Sequence, residues 1–160
     1  AAEPALSGDT FTAAHEQGRL FCRTLLPEPA AIGKIGGPGK QFWSDGRNWP
    51  IPPDWPVDPT TPLLGQWRVE VSPRTPARED FFLHFIHVGD ARLARMAPSR
   101  LLRDETHAGV RFETPAGAWE VWFAIAGSPS GRIRLERGGR EVLHRPLARD
   151  VAPQSGFLRG

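Results

Sequence analysis

The chain contains no tyrosine, one cysteine, one methionine and two lysines. With Tyr absent, no phenolic hydroxyl is available for proton transfer. The lone Cys22 excludes an intrachain disulfide and any cysteine-based zinc site, while leaving the redox compartment open. No apolar run approaches the roughly 20 residues that cross a bilayer as a helix, so no membrane span is expected. The start Ala1-Ala2-Glu3-Pro4 carries no basic segment followed by an apolar one. Histidine-rich metal patterns such as His-Glu-x-x-His are also missing, and neither a metal nor another cofactor is expected.

What is present describes a folded protein. Six Trp, 39% hydrophobic and 24% charged residues in a 160-residue chain supply enough apolar surface for one domain with a core. Seventeen Gly and seventeen Pro favour strands and turns over helices. The net charge of +2 conceals an asymmetry: residues 1–90 hold 8 basic and 11 acidic side chains (−3), and residues 91–160 hold 12 and 7 (+5). Eighteen of the twenty basic residues are Arg. That suits bidentate recognition of carboxylates or sulfates, although codon bias produces the same excess. No RNP, zinc-finger or helix-turn-helix pattern accompanies them, so nucleic acid is not an expected partner.

Along the chain, residues 19–26 carry β-favouring and apolar side chains and end at Pro27, reading as a strand. Residues 27–64, with Gly36-Gly37-Pro38-Gly39 and six prolines from Pro50 to Pro62, read as a long loop rich in Pro, Gly and Trp. Gln66-Trp67-Arg68-Val69-Glu70-Val71 alternates, placing Trp67, Val69 and Val71 on one face. The run Phe81 to Val88 is apolar at both parities, the pattern of a central strand covered on both sides. Strands are also expected over 107–113, 118–126, 132–137 and 141–144, the last two forming a hairpin about Gly138-Gly139. Residues 91–103 are the one helical candidate, interrupted by Pro98. The expectation is an all-β antiparallel sandwich, with Leu83, Phe85, Val69, Val71, Phe123 and Ile133 in its core. Residues 1–17 are expected to be an N-terminal extension or the start of a fragment, and 18–160 a single β-sandwich domain that includes the 27–64 loop.

The run Gly18-Arg19-Leu20-Phe21-Cys22-Arg23-Thr24-Leu25-Leu26-Pro27-Glu28, then Lys34-Ile35-Gly36-Gly37-Pro38-Gly39 and Phe42-Trp43, resembles the late β-rich part of heparinase II/III-like polysaccharide lyases. Trp67-Arg68-Val69-Glu70-Val71-Ser72-Pro73 and Asp80-Phe81-Phe82-Leu83-His84 extend the likeness, which runs from about Gly18 to about Ala126. The resemblance implies a β-sandwich beside an N-terminal α/α toroid domain, an acidic polysaccharide as partner, β-elimination as chemistry, and a secreted or periplasmic location. The family relies largely on Tyr and His for catalysis. Without Tyr or a helical domain, those roles do not transfer, and this chain alone is expected to be inactive.

Two sets of side chains are candidate sites. His15 beside Glu16 is a weak candidate for a catalytic base facing a cleft. Trp43, Arg47, Trp49 and Trp55 are candidates for carbohydrate binding, because indole faces stack on sugar rings while Arg47, Lys34 and Lys40 pair with uronate or sulfate. The competing reading is that these aromatics pack the loop onto the sandwich or a neighbouring domain. His84 and His87, three apart, point to opposite faces of a strand and read as structural. The functional alternatives are a lyase support domain, a self-sufficient carbohydrate-binding module, or a subunit whose aromatic loop docks another protein.

Overall fold

A computed structural model of the chain describes residues 2–50, 53 and 66–147. Its regular structure is entirely β and antiparallel, in keeping with the sandwich expected from the alternating pattern. The chain divides into two compact units, Ala1–Met96 and Ala97–Gly160, where one domain was expected over 18–160.

The first unit contains β1 (Ala5–Ser7), β2 (Thr10–His15), β3 (Gly18–Leu26), β4 (Ala30–Gly36), β5 (Trp43–Ser44), β6 (Arg47–Asn48), β7 (Trp67–Pro73) and β8 (Leu83–Asp90). A four-stranded sheet runs in the order β1-β2-β3-β8, while β4 pairs with β7 and β5 with β6. The register aligns Phe11, Cys22 and Ile86 in one row and Ala13, Leu20 and Val88 in the next, all on one face. Among the described residues of this unit, Cys22, Leu25 and Leu26 are buried hydrophobic side chains. Burying each leucine stabilises the fold by about 1.5–3 kcal/mol. Thr24, buried beside them, satisfies its hydroxyl against Nδ1 of His84 at 3.2 Å, directly across the β3–β8 pair.

Three expectations are corrected here. Residues 1–17 are not a bare extension, because β1 and β2 add two strands to β3. The 27–64 segment is not loop throughout: β4 pairs residue for residue with β7, from Ala30↔Pro73 to Gly36↔Trp67. Ala and Gly are poor intrinsic strand formers, and here cross-strand pairing overrides that preference. Finally, β8 is terminal in its sheet among the described residues and shows a half-buried/exposed alternation, with Ile86 55% and Val88 64% exposed. Its apolar character at both parities therefore does not mark a strand covered on both faces.

The second unit is one meander of β9 (Ser99–Arg103), β10 (His107–Thr114), β11 (Gly117–Ala124), β12 (Gly131–Arg137) and β13 (Arg140–Pro146). The helical candidate 91–103 is corrected, since Pro98 is followed by a strand paired with β10. The Gly138–Gly139 hairpin forms as expected, both residues holding positive φ (56° and 75°). Leu102, Ala108, Val110 and Leu135 are buried. Phe123, expected in the core, is 42% exposed, and Leu83, Phe85, Val69, Val71 and Ile133 are half-buried.

One face of this sheet carries a row of charge across all five strands: Arg100, Arg111, Glu120, Arg134 and His144. Arg111 donates to Glu120 at 2.7 Å, Arg134 lies 3.8 Å from the same carboxylate, and the Arg134 Nε–Glu141 pair closes at 2.7 Å. Alternation demands this face. With Trp119, Val121 and Ile133 committed to the other side, the intervening residues must be polar or find polar partners.

Candidate functional site

The aromatic-rich segment between β4 and β7 is organised by a small hairpin. In it Trp43 pairs with Asn48 and Ser44 with Arg47, across a turn in which Asp45 (φ 51°) and Gly46 (φ 79°) both hold positive φ. Asp-Gly is the residue pair that such a tight turn favours, because both central positions need left-handed backbone. The hairpin is tied off by its own polar groups. The Phe42 amide donates to Oδ1 of Asn48 at 2.8 Å, and the Trp49 amide donates to the Phe42 carbonyl at 3.1 Å. Arg68 on β7, itself paired with Glu70 at 2.7 Å, donates to the Trp43 carbonyl and anchors the hairpin to the ribbon.

Two cations lie over two indoles. The Arg47 guanidinium carbon stands 3.3 Å from the Trp49 ring centroid, and Lys40 Nζ stands 5.2 Å from that of Trp43. Arg47 and Lys40 are exposed, Trp49 is 42% exposed, and Trp43 is half-buried. Three of the four residues singled out from sequence, Trp43, Arg47 and Trp49, are thus brought together on one hairpin. Trp55 lies outside the described residues. Chemically, the cluster offers flat apolar faces next to positive charge, the combination that stacks on a sugar ring and pairs with its acidic substituent.

His15 stands apart from the hairpin residues in sequence, exposed at the end of β2 opposite Gly18. It lines a pocket of about 330 Å³ with Ala13, Leu20, Gln66, Trp67 and Val88, a feature that the alternation placing Trp67 on one face with Val69 and Val71 did not reveal. His84 is exposed and occupied with Thr24, while His87 is half-buried on the other face of β8, as a separation of three in a strand requires. His107 and His144 each sit with a carboxylate three residues away, at 3.6 Å from Asp104 and 3.7 Å from Glu141. Among the described residues no group of three His, Cys, Asp or Glu side chains is arranged to hold a metal ion.

The charged row of the second unit also escaped sequence reading. Burial would raise the Glu120 carboxyl pKa, but hydrogen bonds from Arg111 and Trp122 and the charges of Arg111 and Arg134 outweigh it and hold it below the ordinary value. Trp122 is covered by Arg132, whose guanidinium carbon lies 4.7 Å from the ring centroid. This arrangement is internally paired. The hairpin of the first unit leaves its Arg47 and Lys40 without an acidic partner among the described residues, and it is the stronger candidate for a ligand. No family model matches the chain, and no curated protein matches it.

Proposed function

We propose that this chain is the C-terminal β-sandwich part of a heparinase II/III-like polysaccharide lyase, contributing binding surface to a cleft whose β-elimination chemistry is supplied elsewhere. The observation that carries this reading is the Arg47–Trp49 stack on an exposed hairpin, with Lys40 and Trp43 beside it. A sugar ring can lie on the Trp49 face that Arg47 does not cover while its carboxylate or sulfate meets the guanidinium, which makes an acidic polysaccharide the ligand class. The exposed apolar side chains Ile86 and Val88 suit docking of an N-terminal α/α toroid domain or another chain. A polysaccharide substrate outside the cell puts such an enzyme in the secreted or periplasmic space.

A self-sufficient carbohydrate-binding module is the second reading, and the same hairpin favours it. A protein-interaction subunit is the third, supported by the same exposed apolar residues. Titration of the chain with heparin, hyaluronan and alginate at physiological salt separates the two glycan-binding readings from the protein-interaction reading. Glycan binding that falls about tenfold in Trp49→Ala and Arg47→Ala, at unchanged melting temperature, is the expected result. Binding that both variants retain in full would remove the hairpin from the function. Binding that vanishes between low and physiological salt is generic attraction and counts against the reading.

A further inference from the structure

The pocket beside Trp67 has features that packing alone does not require. Its floor is the sheet row Ala13, Leu20 and Val88 together with His15 opposite Gly18, and Trp67 and Gln66 contribute from the other ribbon. It exists because the floor side chains are small: alanine at 13 and no side chain at 18. At about 330 Å³ it falls at the lower end of sites that hold small ligands.

The indole in this wall is fixed. A Cβ at Gly36 would come within 2.8 Å of the Trp67 ring and 2.2 Å of the Gln66 carbonyl oxygen, and one at Gly37 (φ 82°) within 3.1 Å of the ring. The glycine pair therefore forms a flat seat on which the ring rests, and the Gly37 amide donates to the Gln66 carbonyl at 2.9 Å. Lys34 holds the same corner, with Nζ 5.8 Å from the Trp67 centroid and 2.9 Å from the Pro4 carbonyl. A seated aromatic wall is preorganised, so little ordering entropy is lost when a ring stacks on it.

Three polar side chains line the same space, Arg19, His15 and Gln66; Arg19 donates to the Leu93 carbonyl at 2.9 Å, whereas the exposed His15 and Gln66 side chains have no hydrogen-bond partner among the described residues. Val88, in the floor, keeps 64% of its surface exposed. A wholly apolar ligand would leave the imidazole and the amide unmatched, and a wholly polar one would waste the indole, Leu20 and Val88. A pyranose ring, apolar on its face and hydroxylated at its edge, matches both.

We infer that this pocket binds one sugar ring of an oligosaccharide, its ring face on Trp67 and its edge hydroxyls on His15 and Gln66. The inference rests on the glycan reading above and adds to it a second subsite.

The test is the ¹H–¹⁵N spectrum of the full chain titrated with a hyaluronan tetrasaccharide and, separately, an alginate tetrasaccharide. The Trp67 indole signal is assigned by its loss in Trp67→Phe, and that of Trp49 by its loss in Trp49→Phe. A saturable shift of the Trp67 indole with either probe is expected. His15→Ala combined with Gln66→Ala should weaken binding about tenfold at unchanged melting temperature, and Ala13→Leu, which fills the floor, should abolish the Trp67 shift. Should Ala13→Leu fail to fold, the exposed-edge double variant decides alone. A shift at Trp49 with Trp67 silent overturns the pocket and leaves the hairpin standing. A shift at Trp67 with Trp49 silent upholds the pocket and removes the hairpin as platform. Silence of both indoles with both probes overturns both.

Discussion

Arg111 and Glu120 face each other directly across β10 and β11 and close to 2.7 Å, with the Glu120 side chain only 14% exposed. The carboxylate is shared with Arg134 and the Trp122 indole N–H, at 3.8 and 3.5 Å. Its pKa is depressed in the fold because, although burial alone would raise it, those partners favour the charged form more strongly. The group therefore contributes stability above the unfolded carboxylate value, and that contribution is lost as pH falls through the lowered folded value. Glu120→Gln should cost about 1.5–3 kcal/mol at neutral pH, the range for a hydrogen bond to a charged group. The cost should shrink toward nothing in acid. Chemical denaturation at a series of pH values checks it, and a cost independent of pH would contradict the assigned role.

Gly109 lies opposite Trp122, and a Cβ there would meet the Val121 carbonyl oxygen at 2.3 Å and the Trp122 Cα at 3.0 Å. Backbone cannot step aside as a side-chain tip can. Gly109→Val should destabilise by about 1–3 kcal/mol, as overpacked cores do. An unchanged melting temperature would show that β10 and β11 are spaced more widely than described.

Cys22 is buried in β3, and burial pushes its thiol pKa up. The native protein should react slowly with a disulfide reagent near pH 8, then release one thiol per chain once denaturant is added. Rapid stoichiometric labelling of the native chain would place β3 near solvent.

The chain should produce no rise in ultraviolet absorbance with heparin, hyaluronan or alginate, because it contains no Tyr to act as acid or base. A rise that scales with protein concentration would overturn the proposal that it is a supporting part.

Period-two reading recovered what alternation encodes. β7 places Trp67, Val69 and Val71 inward and Arg68, Glu70 and Ser72 outward, and the β12–β13 hairpin turns at its Gly pair. It failed where local preference and pairing disagree. β4 is rich in Ala and Gly, and only its register with β7 makes it a strand. β8 reads as doubly covered, yet a sequence does not state which neighbours a strand will have, and Ile86 and Val88 remain exposed. At the candidate site the hairpin aromatics were legible because Trp among Gly and Pro is conspicuous. The Trp67 pocket was not, since it is built from what is small around it, Ala13 and Gly18, and smallness in sequence carries no direction.

The charged row also sets an order of loosening. Glu120, at the middle strand, is the most enclosed of its charges, whereas β13 is tied to the row through the Arg134–Glu141 pair, whose side chains are 37% and 43% exposed. Salt screens exposed pairs far more than enclosed ones. Rising ionic strength should thus speed amide exchange along the rim strand while the centre keeps its protection, so the meander behaves as a fabric that frays from its hem inward.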